Sequence, residues 1–164
     1  MTTVECRHAP LWRLALVTMV SIALVVSGCG TTTQAAQKAG TGERRTDIDP
    51  LVKRFPLLGT PTAAVWYSGT MGEARVPGPT TYWIDAVVTV TPATAKEIEA
   101  DYGVQPTAET PDVVDALRSE LPSDLRTSAS LDGALAQGGD AESWTVKAYF
   151  APSTGQVVLS ARGG

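Results

Sequence analysis

Between Tyr82 and Val90 the even positions, Tyr82, Ile84, Ala86, Val88 and Val90, are all apolar or aromatic, while the odd ones, Trp83, Asp85, Val87 and Thr89, are mixed. Successive side chains of a strand point to opposite faces, so this run forms a strand with its even face on a core. Nothing else in the chain is as restrictive. The run stops at Thr91-Pro92, a capping residue followed by proline at the first helical position, where the missing N–H costs no hydrogen bond. Sheet therefore gives way to helix within a residue or two, and the remaining segments have to pack around that corner.

The helix begun there carries Ala95, Ile98 and Tyr102 on one side, with Lys96, Glu97, Glu99 and Asp101 on the other, and Gly103 stops it. Thr110-Pro111 repeats the device. Val113, Val114, Leu117 and Leu121 then predict a second amphipathic helix that ends before Pro122. Ser130 is placed to cap one more turn through Leu131 and Leu135. Upstream, 62–68 has the β-branched and aromatic content of a strand, with Trp66 and Tyr67 on opposite faces, and 73–80 reads as a loop around Pro77-Gly78-Pro79. Ile48 to Leu58, broken by Pro50 and Pro56, has room for one helical turn. At the far end, 144–150 and 156–161 form a hairpin that sets Phe150 and Val157 on one core face. The order β-β-α-α-β-β predicts an α+β fold: a small antiparallel sheet of about four strands with two or three helices on one face.

The chain opens with Arg7, His8 and Arg13, followed by an uncharged apolar run from Leu14 to Val26. A bilayer-spanning helix takes about 20 apolar residues. This run is shorter and is followed at once by polar residues, as in a signal peptide. Its last residues, Val26-Ser27-Gly28-Cys29, are one aliphatic residue, two small ones and a cysteine. They resemble the lipobox of bacterial lipoproteins, and the likeness covers residues 1 to 29. It implies a diacylglycerol on the Cys29 thiol and cleavage of the Gly28–Cys29 bond. On this reading 1–28 is the signal peptide, 29–47 a flexible tether and 48–164 a single domain, held on the extracytoplasmic face of the cell membrane. An uncleaved N-terminal anchor would place the domain on a membrane too. The richness in alanine, glycine, valine and threonine, with arginine above lysine, resembles small lipoproteins of high-GC Gram-positive bacteria and carries no function.

Cys6 and His8 lie in the signal, and they are the second cysteine and the one histidine of the chain. The delivered domain therefore forms no internal disulfide, and Ser-His or Cys-His catalysis and His/Cys zinc sites are excluded. No glycine-rich phosphate loop or calcium loop is present. We expect no cofactor, no metal and no catalytic residue. From Cys29 onward eleven basic residues stand against sixteen acidic ones. Residues 29–54 carry a net charge of +2 and residues 55–164 one of −7. A basic segment suits anionic headgroups, which attract each Lys or Arg by about 1 kcal/mol. Nucleic acid is not an expected partner.

The most singular stretch is 75–85, where a Pro-Gly-Pro loop leads into Trp83 and Asp85 with Arg75 close by. An aromatic ring beside opposite charges suits a sugar or a peptide. The same residues also suit packing, with Trp83 under the loop or the lead-in segment and Asp85 paired to Arg75. The expectation is a lipid-anchored, non-enzymatic binding domain whose partner is an envelope protein or a wall component. The alternative is a small envelope hydrolase, or a sugar- or peptide-binding domain, using carboxylates near Arg75 and Asp85.

Overall fold

The architecture grows from four long strands that pair in antiparallel fashion. In the computed structural model, which describes residues 37–72, 80–137, 139 and 144–164, these are β1 (Ala63–Thr70), β2 (Tyr82–Thr89), β5 (Thr145–Ala151) and β6 (Gln156–Gly163). The lipobox residues Val26, Ser27, Gly28 and Cys29, the signal peptide and Arg75 lie outside the described residues. Two short strands, β3 (Gln105–Pro106) and β4 (Arg126–Thr127), extend the sheet to six, in the order β1-β2-β6-β5-β4-β3. The fold is α+β with an antiparallel sheet, and it has six strands where about four were expected. The two extra strands hold two residues each, too few for an alternating pattern to mark them.

The register follows the side-chain pattern. Ile84, Ala86 and Val88 stand opposite Ala161, Leu159 and Val157, and Phe150 stands opposite Val157 in the terminal hairpin. These residues form the larger apolar layer. It is covered by α1 (Asp49–Arg54), by a 3₁₀ turn at Pro56–Leu58, by α2 (Pro92–Asp101) and by α3 (Ala129–Leu135), through Leu51, Phe55, Leu58, Ile98, Leu131 and Leu135. Thr91 caps α2 by accepting the Thr94 N–H at 3.3 Å. The cap of α3 is Ser128, not Ser130: its Oγ accepts from Leu131 N at 3.1 Å and donates to the Tyr102 carbonyl at 2.6 Å. The second bond ties α3 to the end of α2, a tertiary reason for that choice.

The opposite face of the sheet is closed as well, which corrects the expectation of helices on one face. Tyr67, Trp83, Val87, Tyr149 and Val158 form a second buried layer with Val113, Val114 and Leu117. The expected helix after Thr110-Pro111 does not form as such. The chain is extended through Val114, whose φ and ψ are −58° and 147°, and then makes a 3₁₀ helix at Asp115–Glu120. Two neighbouring β-branched valines resist the helical rotamer. Decisively, the Val114 N–H is spent on the Asp85 carboxylate at 2.8 Å, which fixes the extended form.

The folded part also begins earlier than expected, within the stretch 29–47 read as a tether. From Gln37 onward the chain runs beside β1 as part of the folded unit, with bridges at Lys38–Met71 and Arg45–Trp66. Composition hid this, because Thr, Ala and Gly next to an edge strand contribute backbone hydrogen bonds rather than apolar side chains. The described residues of both apolar layers lie within the compact unit Ala35–Gly164. Among the described residues no helix is long and apolar enough to cross a membrane.

Candidate functional site

Asp85 and Trp83 sit on the second face of β2, under cover. Trp83 and the Asp85 side chain are both 0% exposed. Lys38 reaches over the edge strand and sets its Nζ 2.9 Å from Oδ1 and 2.8 Å from Oδ2 of Asp85. The same ammonium donates to the Asp112 carbonyl at 2.5 Å and stands 5.8 Å from the Trp83 ring centroid. Both Asp85 oxygens thus have donors, Oδ2 taking the Val114 N–H as well. Isolated burial of a carboxylate is costly, and a paired and hydrogen-bonded one is tolerated. Asp112 continues the chain of charge to Arg162 at the surface.

This cluster fastens three segments to one strand: the N-terminal stretch at Lys38, β6 through Ser160, and the 111–114 stretch through Val114. Trp83 seals it by lying flat on β1. A Cβ at Gly69 would come within 2.9 Å of the indole, so glycine is what lets the ring approach. Among the described residues the partner of Asp85 is Lys38, a residue the tether reading set aside; the expected partner, Arg75, lies outside them. An exposed Trp83 beside an available acid is not what the structure holds. Asp85 is thus enclosed, with both carboxylate oxygens hydrogen-bonded.

The open space is elsewhere. A cleft of about 720 Å³ lies at the end of the sheet where Thr70, Tyr82 and Gly164 come together, walled by Trp66, Trp144 and α1. Its aromatic walls carry cations. The Arg45 guanidinium is 4.0 Å from the Trp66 ring centroid and that of Arg54 is 4.5 Å from the Trp144 ring centroid. Lys53 also lines the cleft, and among its described lining residues there is no acidic side chain. Arg45 is held by Asp47 at 2.6 and 3.0 Å, and this hydrogen-bonded guanidinium keeps the Asp47 carboxyl below its usual range. Arg54 has no carboxylate partner among the described residues, and its Nε is buried without a hydrogen-bond partner.

The local sequence explains these placements. Pro50 stands in the first turn of α1, and the helix has Lys53 and Arg54 in its last turn, where cations meet the negative end of the helix dipole. Trp144 lies flat against β6 because position 163 is glycine; a Cβ there would come 2.5 Å from the ring. Tyr82 is 47% exposed and is the one large apolar side chain exposed among the described residues. Trp83 borders the cleft but shows no surface to solvent. Sequence reading missed Arg45, Arg54, Trp66 and Trp144 as a group. The sole signal was the excess of basic residues in 29–54. Compared with known protein families, curated proteins and solved structures, the chain matches none.

Proposed function

We propose that this protein is a membrane-anchored lipoprotein whose domain is a non-enzymatic binding module, with the Trp66–Trp144 cleft as its binding surface. The anchor rests on the lipobox at Val26 to Cys29. The binding reading rests on one observation: an open cleft in which Arg54 stacks on Trp144 and is balanced by no described acid. Rings supply contact area at low entropic cost, and guanidinium groups supply planar donors for carboxylates or phosphates. A ligand that is anionic and partly apolar suits both.

Two experiments test the two halves. Cys29→Ser should abolish labelling by a fatty-acid probe in growing cells and leave unprocessed precursor; undiminished label would refute the anchor. Anilinonaphthalene sulfonate, an aromatic anion, should bind residues 35–164 at a single site. Lys53→Ala together with Arg54→Ala should weaken that binding while the circular dichroism stays unchanged. Binding that ignores both substitutions would refute the cleft.

A further inference from the structure

We propose that the cleft takes the phosphate-bearing headgroup of an anionic lipid in the bilayer that carries the Cys29 anchor. The inference rests on the anchor and cleft readings above and names the occupant of that cleft. Three observations carry it.

The first is length. The folded unit begins so close to Cys29 that only residues 30–36 separate the cysteine from Gln37. Eight such steps reach at most about 26–29 Å when fully extended, and about 14–17 Å as an r.m.s. coil. The second is direction. Gly72 N donates to the Gln37 carbonyl at 2.8 Å and Ala39 N to the Thr70 carbonyl at 2.8 Å, so the chain leaves the domain beside the Thr70 end of β1. Thr70 pairs with Tyr82, and both line the cleft. The point where Gln37 joins the sheet, eight residues from Cys29 in sequence, and the cleft therefore share one end of the sheet.

The third is chemistry. Residues 55–164 carry a net charge of −7, yet the charged side chains among the described lining residues, Arg45, Lys53 and Arg54, are all basic, Arg45 being paired with Asp47. A bilayer with anionic headgroups attracts that end and repels the remainder. Tyr82, exposed at the mouth, is of the kind that settles at a membrane–water interface, with its ring among the headgroups and its hydroxyl in water. The cleft holds a headgroup rather than an acyl chain, because three cations at its walls would be stripped of water by a buried hydrocarbon.

The test uses residues 35–164, which lack Cys29 and so bind a membrane only through the folded surface. Sedimentation with phosphatidylcholine vesicles containing about one third phosphatidylglycerol should carry the protein down, while pure phosphatidylcholine should not. Arg54→Ala and Lys53→Ala should each weaken binding about fivefold, the factor corresponding to about 1 kcal/mol per cation near an anionic surface. Tyr82→Ala should weaken it further, and salt near 1 M, where screening acts over about 3 Å, should release the protein. Circular dichroism of each variant excludes misfolding as the cause.

Vesicle binding unmoved by these substitutions would overturn the inference, since docking would then lie elsewhere. Loss of vesicle binding with retained binding of anilinonaphthalene sulfonate would overturn it too, and would leave the cleft as a site for another anion. Glycerol phosphate binding in solution without vesicle binding would assign the cleft to a soluble ligand. Failure of both the probe and the vesicles would refute the binding reading itself.

Discussion

The two ends of the N-terminal segment each bring a cation to a tryptophan, with opposite results. Lys38 stands over Trp83 on one face of the sheet, and Arg54 stands over Trp144 on the other. The lysine meets a buried carboxylate, a carbonyl and a hydroxyl, and only 13% of its side chain meets water. The arginine meets a ring and open space. A cation whose neighbours complete its hydrogen bonds is a fastening. One with no carboxylate partner among the described residues, beside a cleft, is the better placed to meet a ligand. Proximity of an aromatic ring and a charge in the sequence does not tell these apart, and it was Trp83 and Asp85 that the sequence singled out.

Substitutions can break this contrast. The largest effect belongs to Trp83→Ala, which should destabilise by about 3–5 kcal/mol through the cavity it opens, measured by urea unfolding. A stability within experimental error of the parent would mean that the ring is not sealed beneath the covering segments. Lys38→Met comes next. It leaves Asp85 buried without its counter-charge and should cost about 3 kcal/mol, at the lower end for a broken buried pair because 13% of the lysine side chain still meets water. Adding Asp85→Leu should recover much of that loss, since an apolar pair of similar volume often matches a buried ion pair. A double variant as weak as the single one would identify the cluster as cooperative rather than pairwise.

The pH dependence of the covered face sharpens the contrast. Burial, reinforced by the charge of Glu109, pushes the Tyr149 phenol up to about 12 from 10.0. The folded state therefore holds that proton more tightly than the unfolded chain does. Its contribution is fully present below about pH 10 and is lost as pH rises towards about 12. Urea midpoints measured across that window should fall, and Tyr149→Phe should make the fall shallower. The smallest effect on stability belongs to Arg54→Ala, about 0.5–1 kcal/mol for a stacked cation at a partly open site. The same change should weaken anion binding. A loss of several kcal/mol would instead class Arg54 with Lys38, as part of the scaffold.

Local pattern made much of the scaffold legible. The alternation through Tyr82–Val90 marked β2, Thr91-Pro92 marked the start of α2, and the terminal hairpin paired Phe150 with Val157. Each of these signals lies within a few residues of the structure it specifies. The 111–114 stretch was misread for the opposite reason. Its spacing is helical, but the partner that decides its backbone is Asp85, far away in sequence. The segment from Gln37 to Asp47 was misread because it adds hydrogen bonds to β1 without adding an apolar pattern.

By itself the sequence determined the α+β class, the four principal strands, the first long helix and the lipobox resemblance at Cys29. These rest on periodicity, capping chemistry and a short contiguous motif, all of them properties of neighbouring residues. Only the tertiary structure decided that Trp66, Trp83 and Trp144 are all buried while their edges border one cleft. It alone showed that Lys38 partners Asp85, and that three basic residues scattered over 45–54 converge at one end of the sheet. Burial and charge balance at a site are sums over segments brought together by folding, and no single stretch of sequence contains them.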